Sequence, residues 1–266
     1  MKKSIFAMAA LVLSAFTMQS SEMNLPSSTN NAFSVGEKLK YRVSYGIMDA
    51  GEAELEVKST PKKGAGRELF HVVGKGRSLG AFNAFFKVED VYESYIDKKG
   101  VFPWFFVRRV SEGGYKMSQD YTFKQDKLKV DNGAGKSFNT PEAIQDMLSC
   151  FYYSRTLDYS GMKVGDIKEF KVFMDDEIWP LKIKYVGEEV IHIRKGKFNC
   201  KKFLPVVIKG RVFASENDCN FWVTNDENRI PVLVRAKIKV GTIKMQLVEW
   251  SGIKHEINMV KEKKKK

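Results

Sequence analysis

Leu39-Lys40-Tyr41-Arg42-Val43-Ser44-Tyr45 alternates without a break between apolar or aromatic and polar side chains. Successive side chains of a strand point to opposite faces, so Leu39, Tyr41, Val43 and Tyr45 share one face of a half-buried strand. Gly46 ends it, and Ala50 to Val57 alternates again, with Ala53, Leu55 and Val57 on one face and Glu52, Glu54 and Glu56 on the other. The two stretches predict an antiparallel pair.

The same rhythm runs outward in both directions. Leu69–Val73, Val91–Ile96, Phe102–Val110 and Tyr115–Phe123 read as strands separated by turns at 61–66, Lys98-Lys99-Gly100 and Glu112-Gly113-Gly114; Gly74, Gly76 and Gly80 read as a flexible connection. Strand signals resume at 167–174, 178–186, 189–194 and 203–208, at Val212 and Phe213, and at 220–223, 230–238 and 243–250, with Pro180 marking an edge or bulge. Breaks every ~8–12 residues are the signature of an antiparallel sheet that folds back on itself. Helical periodicity interrupts the pattern once. Thr140-Pro141-Glu142 reads as cap, first-turn proline and first-turn acid, and Ile144, Met147, Leu148, Phe151, Tyr152 and Arg155 recur at helical spacing. The predicted fold is mostly β: a single large curved antiparallel sheet or open barrel, with one central helix at about 141–155 packed on it. Two packed β lobes, about 33–139 and 156–252, are the second choice.

The N-terminus carries Lys2 and Lys3, an uncharged run from Ile5 to Phe16, and then polar Thr17, Gln19, Ser20 and Ser21. This is the order of a secretory signal peptide over residues 1–20, cleaved between about residues 19 and 22. Its apolar run falls short of the ~20 residues that span a bilayer, and no later segment is long and apolar enough to do so. Cys150 is the first cysteine, so nothing supports a lipid-modified N-terminal Cys. Residues 21–32 read as a flexible segment, 33–252 as the β-rich domain and 253–266 as a polar lysine-rich tail. The formal net charge of +13 is interleaved with acids outside the Lys261–Lys266 run. It favours peripheral contact with anionic surfaces such as membrane lipid, not a localised nucleic-acid footprint.

Motifs for chemistry are weak. Gly133-Ala134-Gly135-Lys136-Ser137 lacks the leading glycine of a phosphate loop, since that position is Val130, and Gly74-x-Gly76 has no helix behind it. No cofactor is implied. His71, His192 and His255 are isolated, there is no Cys-x-x-Cys, and no metal site is predicted. Asp175-Asp176-Glu177 and Asp226-Glu227 sit where hairpin turns are expected. Export permits disulfides, and Cys200 with Cys219 is the better pair if their strands are neighbours; Cys150 reads as a small hydrophobe in the helix. Aromatic residues are abundant (19 Phe, 10 Tyr and 4 Trp) and concentrate in 82–106. Within Phe102–Val107 both strand faces are apolar, so either a second layer covers them or they line a groove. The groove candidates are Phe82, Phe85, Phe86, Trp104, Phe106 and Trp179.

Phe33-Ser34-Val35-Gly36-Glu37-Lys38-Leu39-Lys40-Tyr41, followed by Gly51 and Ala53, resembles the opening of the DUF3108 family of exported bacterial proteins of unknown function. Thr140-Pro141 through Asp146, Leu148, Ser149, Tyr152-Tyr153 and Arg155 resembles that family's central helix. Trp222-Val223-Thr224 with Asp226, Pro231, Ala236, Gly241 and Leu247 resembles its C-terminal hairpin. The resemblance implies an exported, β-rich, periplasmic protein of a Gram-negative envelope, and it supplies no catalytic residues. Three functional readings follow. The first is a non-enzymatic protein that binds an apolar or amphipathic ligand, such as a lipid, or an envelope partner in a curved-sheet groove. The second is an envelope hydrolase using carboxylates or His192 in a cleft. The third is a structural or assembly protein.

Overall fold

Strand β1 (Lys38–Tyr45) pairs on one side with β2 (Met48–Gly64), as the alternation predicts, and on the other with the last strand of the chain, β14 (Gly241–Ser251). A computed structural model of the protein describes residues 25–206, 218–238 and 241–261. The signal-peptide reading, the strand around Val212 and Phe213, and the end of the lysine tail lie outside the described residues. From β2 the chain meanders through β3 (Arg67–Ser78), β4 (Glu89–Asp97), β5 (Pro103–Glu112), β6 (Tyr115–Lys124), β7 (Lys129–Asp131) and β8 (Ser137–Asn139). After the central helix it meanders again through β9 (Ile167–Met174), β10 (Glu177–Ile193), β11 (Gly196–Pro205), β12 (Cys219–Thr224) and β13 (Pro231–Ile238) into β14. All fourteen form one sheet in the order β8-β7-β6-β5-β4-β3-β2-β1-β14-β13-β12-β11-β10-β9. The β1–β14 ladder therefore fuses the two halves, and the curved-sheet expectation holds over the two-lobe alternative.

The free edges, β8 and β9, come together because the sheet is rolled. Gln145, just past β8, donates its amide to Lys171 O (3.0 Å) and accepts from the Phe173 amide (2.8 Å). Phe173 on β9 packs edge-on against Tyr121 (5.1 Å between ring centres) and tilts against Phe138 (5.3 Å). The result is a barrel-like roll closed by side chains and one bridge.

The central helix α2 runs over Met147–Thr156, later and shorter than the spacing predicts. Its cap is Asp146, which accepts from the Ser149 amide (2.7 Å) while the Ser149 hydroxyl accepts from the Asp146 amide (2.8 Å). Thr140-Pro141-Glu142 does not start a helix: Ala143 is left-handed (φ 52°), and the Gln145 amide, which a helix would turn back to Pro141 O, is taken by β9. The Thr140 amide is donated to Leu128 O and that of Gln145 to Lys171 O. Nor is α2 a single apolar stripe on the sheet. Tyr152 packs with Phe33, Val72 and Ile96 on one side, and Cys150 with Phe170, Val172 and Ile183 on the other. The helix is a wedge inside the roll, packed by apolar side chains of the two halves of the sheet on its two flanks.

Gly74 and Gly76 lie within β3 and do not form a flexible connection. A Cβ on Gly74 would stand 3.2 Å from Leu55 and 3.4 Å from Leu148, so the bare backbone lets α2 approach the sheet. A second short helix, α1 (Gly80–Phe85), follows β3 and buries none of its residues. Both chain extensions dock. Asn30 Oδ1 accepts from the Ala32 and Phe33 amides, and Ser28 donates its amide to Lys99 O. At the other end Ile257 is buried and the Asn258 amide is donated to Asp226.

Candidate functional site

Period-two alternation on two consecutive strands builds one wall of an interior cavity. Phe170, Val172 and Met174 of β9 and Trp179, Leu181 and Ile183 of β10 all face inward. Pro180 pairs with Lys171 of β9, and among the described residues the ladder to β11 begins at Ile183. The helix supplies the opposite wall with Met147, Cys150, Phe151 and Ser154, and Phe221, Val234 and Met245 complete it from β12 to β14. The cavity holds about 470 Å³, within the range of roughly 300–1,000 Å³ of small-molecule sites. Leu181 and Met147 on its wall are 41% and 39% exposed, so it communicates with solvent.

Its polar groups are few. Cys150 is an inert thiol, pushed up to about 12 by burial. Tyr159, also raised by burial, donates its hydroxyl to Ser154 O at 2.8 Å, and Ser154 donates its own to Phe151 O at 2.8 Å. Arg155 is buried and bound to Glu37 by two contacts of 2.7 Å. Arg229, half-buried and left-handed at φ 48°, donates Nη1 to Arg155 O (3.0 Å) and Glu227 O (3.1 Å). The arrangement can enclose an apolar molecule; among the described residues its lining pairs no nucleophile with an adjacent base.

The structure does not assemble the six groove candidates. Trp179 lines the cavity. Trp104 is core, packed with Leu69 and Phe102, with its indole N–H donated to Asp97 at 3.0 Å. Phe106 is core against Tyr121, Phe123 and Phe173. The doubly apolar stretch of β5 is covered on both faces: Trp104 and Phe106 face the interior, while Lys62 sits 3.7 Å over the outward Phe105 ring. Phe82, Phe85 and Phe86 belong to α1 and its end and are exposed, away from the cavity lining. Phe82 lines a shallow groove of about 290 Å³ with Tyr45, Ala50, Val88 and Ile243. Phe85 is 89% exposed and Ile47, in the β1–β2 turn, 98% exposed. The ladders Tyr45↔Ile243, Ala236↔Cys219 and Gly51↔Ser78 put these side chains at the same strand ends as the Trp179–Leu181 end of the cavity.

The Cys200–Cys219 pair is overturned. Their strands are neighbours, but the register is Cys200↔Thr224 and Phe203↔Phe221. Cys219 is therefore five residues out of step, roughly 16 Å at strand rise, where a disulfide needs Cα atoms within about 7 Å. All three cysteines are free. The acidic clusters lie on separate turns. Asp175 is held by Arg108 (2.9 Å), Asp176 by Tyr121 and Asn132, and Asp226 accepts from Thr224 and Asn228. His192 is exposed on β10 between buried Ile191 and Ile193, on the opposite face of the sheet from the interior. These groups do not converge. Among the described residues no three His, Cys, Asp or Glu side chains are grouped to hold a metal, and no helix is long and apolar enough to cross a membrane.

The fold and site thus define a barrel-like antiparallel β protein with an apolar interior cavity beside a wedged helix. The chain belongs to the DUF3108 family, described as a protein of unknown function, which matches residues 40–248. No curated protein matches it significantly. Among solved structures it is similar to a β-barrel-like protein of the domain of unknown function DUF1849 from Brucella abortus. The TM-score is 0.53 at 10% identity, over 84% of this chain and 99% of that one, which shows a shared fold. It is also similar to a hypothetical protein from Chlamydia trachomatis (TM-score 0.35, 11% identity, 90% and 95% covered). A third similar structure, from Bacteroides fragilis, is described as a "putative exported protein with YmcC-like fold" (TM-score 0.31, 12% identity, 84% and 99% covered).

Proposed function

We propose that this is a non-catalytic binding protein of the bacterial envelope, which holds one apolar or amphipathic molecule in the cavity between α2 and β9–β14. The observation that carries the reading is the cavity itself: about 470 Å³ walled almost wholly by apolar side chains. Apolar wall left open to water in a folded protein carries a cost, which an apolar ligand removes by covering it. The secretory leader read at residues 1–20 supports a periplasmic location. The exposed Ile47, Met48 and Phe85, at the same end of the sheet as Trp179 and Leu181, support exchange with a membrane surface, because a sparingly soluble ligand moves most readily between apolar phases.

Native mass spectrometry of the mature protein, recovered from the periplasm of an expressing cell, tests this. The expected result is a bound molecule of a few hundred daltons, displaced or reduced several-fold in Val234→Trp, which fills the cavity from β13. A wild-type protein that stays empty, and that binds no added long-chain amphiphile, would overturn it.

A further inference from the structure

We infer that the occupant of this cavity is an anionic, single-chain amphiphile whose oxyacid head group is held by Arg229; the inference rests on the binding function proposed above and names its ligand class. Among the cavity's polar liners, the Ser154 and Tyr159 hydroxyls donate to backbone carbonyls. Arg155 spends its donors on Glu37, Asn228 O and Ala32 O, and its charge is cancelled by Glu37. Arg229 differs. Its Nη1 donates to two carbonyls, which leave its positive charge intact, while Nε and Nη2 have no acceptor among the described residues.

No carboxylate pairs with Arg229 there. Asp158 feels its charge, but that carboxylate accepts from the Ser160 amide (2.8 Å) and hydroxyl (2.9 Å). Glu227 is turned to Asn31 and His255. A half-buried guanidinium with free, forked donors beside an apolar cavity is the donor set that binds carboxylate or phosphate in two-point fashion. At about 470 Å³ the cavity lies in the lower half of the range for small-molecule sites, which favours one chain over two. The head then sits at the β12–β13 turn, where Arg229 lies, and the chain runs toward Trp179 and Leu181.

The test is titration of the delipidated mature protein with hexadecanoate, hexadecyl phosphate and hexadecanol, followed by calorimetry, on wild type, Arg229→Lys and Arg229→Gln. Wild type is expected to bind at least one of the two acids about tenfold or more tighter than the alcohol. Which acid is preferred distinguishes a carboxylate from a phosphate head. Arg229→Gln is expected to bring acid and alcohol within about threefold of each other while alcohol affinity is kept, and Arg229→Lys to retain part of the preference. Equal binding of acids and alcohol by wild type, which needs no variant to fold, overturns the head-group assignment and leaves the cavity reading standing. An undiminished preference in a folded Arg229→Gln does the same. Binding of none of the three overturns both.

Discussion

Arg155 and Glu37, 118 residues apart in the chain, meet inside the roll as a two-point ion pair with both contacts at 2.7 Å. Arg155 is 2% exposed and Glu37 0%. The guanidinium also donates Nε to Asn228 O (2.8 Å) and Nη2 to Ala32 O (3.2 Å), and it lies against the rings of Phe33, Phe151 and Tyr152. One side chain of α2 thus ties together the N-terminal segment, the start of β1 and the β12–β13 turn. The charges are expensive to bury, and their mutual attraction with full hydrogen bonding offsets that cost only while both are present.

Removing one partner is therefore the severe change. Glu37→Ala and Arg155→Ala are each expected to cost about 3–5 kcal/mol in urea unfolding. Glu37→Met with Arg155→Met is expected to cost far less than the sum of the two single Met changes. Additive single changes would mean that the pair is not coupled.

Asp146 makes stability depend on pH. Burial pushes its carboxyl up from 3.8 to about 6, against the opposing hydrogen bonds from the Ser149 amide and the Ser94 hydroxyl (2.6 Å). An acid whose folded pKa is raised takes up a proton on folding. Its contribution is complete below about pH 4, the unfolded value, and is lost as pH rises through the folded one. Asp146→Asn keeps an oxygen for the Ser149 amide and does not titrate. Relative to wild type it is expected to gain on the order of 2–3 kcal/mol between about pH 4 and pH 6, with no further change above pH 7. Acids held low by ion pairs, such as Glu52 beside Arg77, cancel in that difference. A pH-independent difference would refute the assignment.

The thiols should be unreactive in the native state. Burial pushes Cys150 and Cys200 up to about 12, so almost no thiolate exists at pH 8. Iodoacetamide is expected to label neither in native buffer, Cys219 slowly, and all three in urea. A peptide map showing Cys200 joined to Cys219 would contradict the β11–β12 register.

Gly64 closes the pocket of Trp104. A Cβ there would fall 2.2 Å from the Trp104 ring. Gly64→Ala is expected to lower stability by about 1–3 kcal/mol, the range for overpacking a filled core, and to shift Trp104 emission. Unchanged emission and melting temperature would show that the ring has room to move.

Strand positions and faces were legible in the sequence because alternation is a local property. Leu39 and Tyr41 are buried, as read, and face Leu55 and Ala53 across the β1–β2 ladder. The helix was legible as a helix but not at its start, since Ala143 turns left-handed and Gln145 is bridged to β9, a strand later in the chain. Of the groove candidates only Trp179 proved to line the cavity. Phe106 and Phe170 carry the same alternating signature, and nothing local says that one packs against rings while the other faces a void. Arg229 gave no signal at all: its role depends on the helix end that folds back beside it.

By itself, then, the sequence determined an antiparallel β protein with a helix in its middle, and which side turns inward on strands of clean alternation such as β1 and β2. Only the tertiary structure decided that β1 meets β14, that Cys200 and Cys219 miss by five residues, that α2 stands inside the roll as a wedge, and that the space it leaves against β9–β14 stays open. The reason is that burial of apolar surface is non-directional. It sorts side chains into inside and outside, but which neighbour each one meets, or whether it meets none, is set by register and curvature summed over the whole sheet.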